Sequence, residues 1–179
     1  MRGLLRRLRG VPELKTERLR LVAMTPAMLE ADTAGDGGLC RLLRAEVSAE
    51  WPPADWETHV LAMIFEQCET VPESAGWHRY VVLLEGGERV LVGCVGGFLK
   101  PGGVVEIGYS TVPGFQRRGF GTEAAQALVE WLLRQKGVRA VTAQAFAQAR
   151  ESITVMERCG LVFAGAGDDP GTVRYRRER

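Results

Sequence analysis

The chain has 179 residues, of which 46% are hydrophobic and 25% charged, and its formal net charge is +1. This length fits one domain, the even charge balance gives no reason to expect nucleic acid as a partner, and the apolar stretches are too short for a membrane span. The cysteines lack metal-ligand or Cys-x-x-Cys spacing, so we expect buried thiols in a reducing cytoplasm and no metal: Cys40, Cys68, Cys94 and Cys159.

The N-terminal segment is strongly basic, with arginines at positions 2, 6, 7 and 9 interleaved with leucines. A secretory signal would need an uninterrupted apolar run after the basic part, and none follows. We interpret residues 1–13 as a frayed or amphipathic basic leader and residues 14–179 as a single domain. A targeting or membrane role for the leader is the alternative.

The N-terminal third predicts one strand and three helices. Leu19, Leu21 and Ala23 alternate with polar neighbours as in a strand, and Thr25-Pro26 has the cap and first-turn proline of a helix start. Asp55 would cap the third helix. The predicted elements are a strand over residues 18–24 and helices over residues 26–34, 39–47 and 55–68.

The remaining chain changes from a β-meander to alternating strands and helices. Gly86-Gly87 is a tight hairpin signal, and a Gly-rich connection follows the second strand. Strands are predicted over residues 80–85, 89–99, 104–112, 138–146, 161–165 and 172–177, with helices over residues 120–136 and 152–159. The second half is therefore β-α-β-α-β with a parallel pair, and the fold class is α/β with a mixed sheet.

A glycine-bearing turn joins the predicted strand 104–112 to the predicted helix 120–136. It reads Gln116-Arg117-Arg118-Gly119-Phe120-Gly121-Thr122. Free amides at the positive end of a helix, without obstructing side chains and with two nearby arginines, suit a phosphate group. The turn has neither a Walker A nor a dinucleotide-binding pattern. It therefore predicts a site for a phosphorylated ligand, the alternative being a merely structural strand–helix turn.

The spacing Gln-x-x-Gly-x-Gly resembles motif A of the GNAT-type N-acetyltransferases. Upstream, residues 105–113 (VEIGYSTVP) resemble the fourth strand of that family, and residues 150–161 (RESITVMERCGL) resemble its motif B helix. Residues 15–21 (KTERLRL) are similar to the opening strand of the RimJ/RimL-like branch. The resemblance covers roughly residues 14 to 177.

The resemblance implies a GNAT-like fold whose parallel strands splay apart around acetyl-CoA. Backbone groups of Ser110 to Val112 would bond the pantetheine arm, and the turn would hold the pyrophosphate. The implied cosubstrate-binding residues are Ser110, Thr111, Val112, Gln116, Arg117, Arg118, Gly119, Phe120, Gly121 and Thr122. It also implies direct acetyl transfer to an amine, either a protein N-terminus or a small molecule. A homodimer is a further implied possibility.

Two residues are candidates for the chemistry. Glu106 lies in an apolar strand on the same face as Gly108 and Ser110, where it would act as a base directly or through water. The alternative is a structural ion pair or a solvated edge. Ser152 would contact the thioester sulfur or the pantetheine, and its alternative is a helix cap.

Two positions depart from the family pattern. Met156 stands where many members have a tyrosine near the thiolate, and Ala149 stands where the RimJ/RimL-like pattern commonly has asparagine. Gln144 or Gln148 would have to replace the asparagine contact. These departures motivate an alternative function, a catalytically weak acyl-CoA-binding or interaction module.

The acceptor site is the least readable part of the sequence. Trp51, Trp56, Trp77 and His78 are candidates for its wall, although core packing is the more usual role of such residues. The even charge balance favours neither a polyanionic nor a strongly basic acceptor. Modification of an aminoglycoside would require an acidic acceptor cleft.

Overall fold

The computed structural model describes residues 11–53 and 58–179. Its strands are β1 (Leu14–Lys15), β2 (Leu19–Ala23), β3 (Glu46–Val47), β4 (Arg79–Glu85), β5 (Glu88–Lys100), β6 (Val104–Thr111), β7 (Ala140–Phe146), β8 (Val162–Ala166) and β9 (Thr172–Glu178). The helices in these ranges are α1 (Pro26–Ala34), α2 (Gly38–Leu43), α3 (Thr58–Thr70), α4 (Phe120–Leu132) and α5 (Arg150–Arg158). None of these helices is long and apolar enough to cross a bilayer.

All nine strands belong to one mixed sheet in the order β1-β2-β4-β5-β6-β7-β9-β8, with β3 parallel to the start of β5. Strands β4, β5 and β6 form the predicted antiparallel meander, and β6 and β7 form the predicted parallel pair. The pairing of β6 with β7 stops at Glu106 and Thr142, although the strands continue to Thr111 and Phe146. The two strands therefore splay apart, and α4 begins beside this opening.

A hydrophobic core lies on each face of the sheet. Val105 and Ile107 of β6 pack with Leu128 and Leu132 of α4 in one cluster. The other cluster joins α1–α3 to the N-terminal part of the sheet, with Met24, Leu29, Leu43, Ile64 and Tyr80 among its members. Because successive side chains of a strand point to opposite faces, Glu106 and Gly108 lie on the face away from α4.

The predicted start and end of α1 are confirmed. The Thr25 hydroxyl accepts a hydrogen bond from the Met28 amide at 3.2 Å, and Gly35 ends the helix with φ 63°. The strands β2 and β4–β9 also match the predicted strands to within two residues at each end. The start of the third helix, with Asp55 and Trp56, lies outside the described residues, as do residues 1–10 of the leader.

Four helix boundaries were predicted wrongly, and two short strands, β1 and β3, were missed. Helix α3 ends at Thr70 instead of residue 68. Helix α2 ends at Leu43 instead of residue 47, because Arg44 adopts φ 50° and the chain then pairs with β5 as β3. Helix α4 ends at Leu132 instead of residue 136. The amides of Arg134 and Gln135 there bond to carbonyls three residues back, which tightens the chain into 3₁₀ turns. Helix α5 begins at Arg150 rather than Ser152.

Candidate active site

A cleft of about 660 Å³ opens at the end of β6, beside the turn before α4. Its walls are the end of β6, the turn before α4 and one side of α5. Nine of the predicted site residues line it, namely Ser110, Thr111, Gln116, Arg117, Gly119, Phe120, Gly121, Thr122 and Ser152. The other three predicted site residues, Glu106, Val112 and Arg118, do not line it.

The turn before α4 presents unbonded helix amides to the cleft. Gly119 is the N-cap with φ 85° and makes no side-chain cap, and the first bond within the helix runs from the Glu123 amide to the Gly119 carbonyl. Arg117 also has a left-handed backbone, with φ 58°. A Cβ at Gly121 would approach Thr111 Oγ1 to 3.2 Å. The turn thus has the geometry of an anion site, with little room for side chains.

The two arginines of the turn have different surroundings. Arg117 lines the cleft, whereas Arg118 pairs with Glu85 at 2.9 Å and lies over the rings of Phe115 and Phe120. Arg158 of α5 also lines the cleft. The two arginines that line this cleft, Arg117 and Arg158, therefore lie on opposite sides of it.

Glu123 fastens the first turn of α4 to the segment before β2. One carboxylate oxygen accepts from the Thr16 hydroxyl at 2.5 Å and from the Arg18 amide at 3.0 Å, and the other pairs with Arg18 Nη2 at 2.7 Å. Partial burial opposes ionisation, but these hydrogen bonds and the Arg18 charge outweigh it and lower the pKa of Glu123. The carboxylate thus helps fix the position of the anion site.

Val112 does not share the position of its neighbours Ser110 and Thr111. It is fully buried, its amide donates to the Val92 carbonyl at 3.0 Å, and its carbonyl accepts from the Phe115 amide at 3.0 Å. The Gln116 side chain donates to the Thr111 carbonyl at 2.9 Å, which braces the end of β6.

Glu106 lies beside the cleft in a network of polar contacts. Lys100 Nζ is 3.1 Å from one carboxylate oxygen, and Gln144 donates to the other at 2.5 Å. Gln144 also donates to Asp168 at 2.7 Å, so its side chain is held away from the role expected of a replacement asparagine. The ion pair of the structural alternative is thus present, and Glu106 also shares a strand face with Gly108, about 7 Å further along β6.

Ser152 and Tyr109 place hydroxyl groups between β6 and α5. The N-cap of α5 is Ala149, so Ser152 does not cap the helix and its side chain belongs to the cleft wall. The Tyr109 hydroxyl donates to the Ser152 carbonyl at 2.8 Å. Burial, with a smaller effect of Cys159, raises the pKa of Tyr109, which keeps the phenol protonated. Met156 is 2% exposed and packs in the core beneath α5.

Sequence reasoning missed Tyr109 and most of the α5 wall. The missed residues on α5 are Glu151, Thr154, Val155 and Arg158. Their spacing of i, i+3, i+4 and i+7 marks one face of a helix, so this signal was available in the sequence. Tyr109 continues the phase of Val105 and Ile107 along β6, which would have placed it on the α4–α5 side of the sheet.

A second, smaller cavity of about 190 Å³ adjoins the cleft. It lies between α3 and strands β5 and β6, and it shares Tyr109 and Ser110 with the cleft. His78 lines this cavity, whereas Trp77 is a core residue with 1% exposure. Trp51 donates to Asp32 at 2.7 Å and lines neither space. Within the described residues, no group of three or more His, Cys, Asp or Glu side chains is arranged to hold a metal ion.

Comparison with known proteins identifies the family of this fold. Residues 18–162 match the model of the acetyltransferase (GNAT) domain family. This span is most of the chain, so the chain belongs to the GNAT acetyltransferase family, and its fold class is confirmed. It is accordingly an acyl-CoA-dependent N-acetyltransferase.

One curated relative and two solved structures illustrate the similarity. The chain is 27% identical over 153 residues to the uncharacterized N-acetyltransferase YjdG of Bacillus subtilis (strain 168), covering 84% of this chain and 89% of the relative. A GNAT-family acetyltransferase from Bacillus anthracis superposes with a TM-score of 0.62 at 20% identity, over 93% of this chain and 98% of the other. RimL, a ribosomal α-N-protein acetyltransferase in complex with coenzyme A, superposes with a TM-score of 0.58 at 18% identity, over 93% and 97%.

Proposed function

We propose that the protein transfers an acetyl group from acetyl-CoA to a primary amine by direct attack within a ternary complex. The observation that carries this proposal is the meeting of two spaces at Tyr109 and Ser110. The cleft has the helix amides that suit a phosphorylated cosubstrate, and the adjoining cavity offers an acceptor a place on the other side of the sheet. Holding both reactants together removes most of the entropic cost of their encounter.

The pyrophosphate of acetyl-CoA would bind the turn before α4. The amides from Arg117 to Thr122 would donate to it, and the guanidiniums of Arg117 and Arg158 would add positive charge. The residues present fit such a group, because the N-cap Gly119 leaves the first-turn donors without a side-chain cap and Gly121 admits a close approach. Arg118 would act indirectly, by bracing the turn against Glu85.

The pantetheine arm would lie in the opening between β6 and β7. The backbone of Thr111 would bond its amides in the manner of an added strand, whereas Ser110, paired with Cys94 two residues before Val112, directs its backbone toward β5. We exclude Val112 from this role because its amide already donates to Val92. The arm would thereby place the thioester near Tyr109 and Ser152.

In the reaction the amine nitrogen bonds to the thioester carbonyl carbon, the carbon–sulfur bond breaks, and CoA leaves as the thiolate, which then takes a proton from water. Glu106 would take the proton of the amine through a bridging water, since the carboxylate lies about 7 Å along the strand from Gly108. Ser152 would donate a hydrogen bond near the sulfur. Tyr109 would position this part of α5 through its bond to the Ser152 carbonyl.

The RimJ/RimL-like branch is the most fitting place for this enzyme within the family. The N-terminal run at residues 15–21 and the structural likeness to RimL support it. The acceptor would then be a peptide N-terminus or a small amine. The proposal includes action in the cytoplasm, which the reduced cysteines favour.

The lack of a polar replacement for the family's asparagine supports the weakly catalytic alternative. Ala149 has no polar side chain, and Gln144 is engaged by Glu106 and Asp168 instead of facing the pantetheine path. A protein that retained the cleft and lacked turnover would bind acetyl-CoA and release no thiol. The two functions therefore differ in a direct measurement.

The test is CoA-thiol release from acetyl-CoA by the purified protein across a panel of peptides and small primary amines. Release that depends on the amine, with an acetylated product in the mass spectrum, is expected. Tight acetyl-CoA binding with no acetylated product from any amine would contradict the transferase proposal and favour the binding module.

A further inference from the structure

The smaller cavity has a chemistry of its own. Its walls come from the residue after β2, from α3, and from the middle of β5 and β6, and its apolar members include Met24, Val60, Ile64 and Phe98. None of the described residues that line it is an aspartate, glutamate, lysine or arginine. A charged group would lose its hydration there without gaining a counter-charge, which is costly, whereas an apolar group would gain from burial.

Two facing glycines account for the room in this cavity. Gly96 of β5 and Gly108 of β6 are paired in register. A Cβ at Gly96 would lie 2.2 Å from His78 Nδ1, so this glycine makes space for the imidazole ring. A Cβ at Gly108 would meet nothing within 4 Å. Gly108 therefore forms the floor of the cavity, and a side chain at this position would occupy the space above it.

His78 is fixed as a neutral wall residue. The Gln67 amide oxygen accepts from the Leu99 amide at 3.0 Å, which orients the amide so that its nitrogen donates to the Gly97 carbonyl at 2.8 Å and to His78 Nε2 at 3.0 Å. The imidazole thus accepts at Nε2 and carries its proton on Nδ1. Burial lowers the pKa of His78 to about 3, so the ring brings no charge to the cavity.

The volume of the cavity limits which side chains of a substrate it can hold. A buried cavity of about 150 Å³ holds a benzene molecule. The volume of about 190 Å³ in this protein therefore suits a single ring or a branched alkyl group. A sugar ring with several ammonium groups would be too polar for it.

We propose that this cavity binds an uncharged apolar side chain of the amine acceptor, so that the enzyme prefers amines that carry a ring or a branched alkyl group over polyamines and aminoglycosides. This inference rests on the proposed function, because it assigns the acceptor half of the same site. The shared residues Tyr109 and Ser110 would bring the amine of such a substrate next to the thioester.

The test compares glycinamide, leucinamide, phenylalaninamide and lysinamide as acceptors with acetyl-CoA. We expect kcat/KM to rise about 10- to 100-fold from glycinamide to leucinamide or phenylalaninamide, the gain from burying one such side chain. Lysinamide should fall well below leucinamide. Equal values for the four amides, or a preference for lysinamide, would overturn the proposal.

Gly108→Val provides the matched variant, since valine suits a strand and a Cβ at this position would meet no atom within 4 Å. We expect the preference for phenylalaninamide over glycinamide to drop at least about 10-fold. Ala164→Val, which adds two methyl groups at an exposed strand position, should leave that preference unchanged. If Gly108→Val instead abolished the use of hexanoyl-CoA and left the amine preference intact, the cavity would hold the acyl chain and the proposal would fail.

A binding measurement separates this proposal from the proposed function. Phenylalaninamide should shift the NMR signal of the Ile64 δ-methyl in the CoA-loaded protein, whether or not transfer occurs. A shift without thiol release from any amine would retain the cavity assignment and reject the transferase function. Thiol release without the apolar preference and without the shift would retain the transferase function and reject the cavity assignment.

Discussion

At the scale of single residues, Glu106 is the group whose role matters most for the chemistry. It accepts from Gln144 and pairs with Lys100, and it lies on the strand face that leads to the acceptor cavity. A purely structural ion pair and a proton acceptor would both be found in these surroundings. The two roles differ in what happens when each partner of the pair is replaced.

We predict that Glu106→Gln lowers kcat/KM for acetyl transfer by about 10²- to 10⁴-fold, the usual contribution of a positioned base. Lys100→Gln breaks the same ion pair and keeps the carboxylate, so it should change kcat/KM by about fivefold or less. The measurement is the pH–rate profile of all three proteins. Similar losses in the two variants would show that only the ion pair matters.

His78 gives a second prediction at this scale. Burial lowers its pKa from 6.5 to about 3, so between these values the unfolded chain binds a proton that the folded protein does not. The free energy of unfolding should therefore fall as the pH drops from 6.5 toward 3, by about 1.4 kcal/mol per pH unit from this residue.

Urea unfolding of wild type and His78→Gln between pH 7 and pH 4 measures this effect. The difference in unfolding free energy between the two proteins should shrink on acidification, because only the wild type loses the histidine contribution. Parallel curves for wild type and His78→Gln would contradict the burial argument.

The glycines show how far a single residue can be interpreted from sequence. Gly119 and Gly121 were predictable because a strand–helix turn with that spacing has few other uses, and both line the cleft. Arg118 was not predictable, since its partner Glu85 comes from a hairpin 33 residues away in the chain. Pairing between distant surface charges leaves no local pattern in the sequence.

At the scale of elements, contacts made by the first turn of α4 fix the position of this helix. Glu123 holds this turn to Thr16 and Arg18 before β2, which connects the anion site to the start of the sheet. Its lowered pKa means that this contribution to stability is complete above about pH 4.5 and is lost as the pH falls through the lower value of the folded state.

We predict that Glu123→Gln lowers the free energy of unfolding by about 1.5–3 kcal/mol at pH 7, since hydrogen bonds to a charged group are lost. The difference from wild type should close as the pH falls below 4.5 and through the lowered pKa of the folded state, because the wild-type carboxylate then also becomes neutral. Glu85→Gln, which removes an exposed ion pair with Arg118, should cost less than about 1 kcal/mol at pH 7. A Glu123→Gln deficit that did not vary with pH would refute the assignment.

The elements themselves were mostly predictable, and the exceptions have physical causes. Alternation and turn glycines located the β4–β6 meander, and Thr25 and Gly35 located α1. Residues 39–47 have a helical pattern, but pairing with β5 converts Glu46–Val47 into strand β3. This choice depends on a tertiary contact, which a local pattern does not contain.

At the scale of the whole molecule, the site follows from the sheet topology. In the strand order β6-β7-β9-β8 the last strand lies beside β7. Strands β6 and β7 pair at three positions and then separate. The class of fold and the parallel pair were predictable from the β-α-β-α-β order. The acceptor cavity was not, because it is built by α3, β5 and β6 together and is recognised only when their side chains are in place.

The central claim is that acetyl-CoA binds in the cleft with its pyrophosphate on the turn before α4. Isothermal calorimetry with acetyl-CoA tests it most directly, with wild type, Gly119→Glu and Gly137→Glu compared. The two glycines have nearly the same backbone angle, φ 85° and φ 87°, so the substitutions bring similar strain, and only Gly119 lines the cleft. We predict that Gly119→Glu weakens binding at least about 100-fold, by placing a carboxylate against the phosphates, and that Gly137→Glu binds as wild type does. Equal binding by all three proteins would contradict the account.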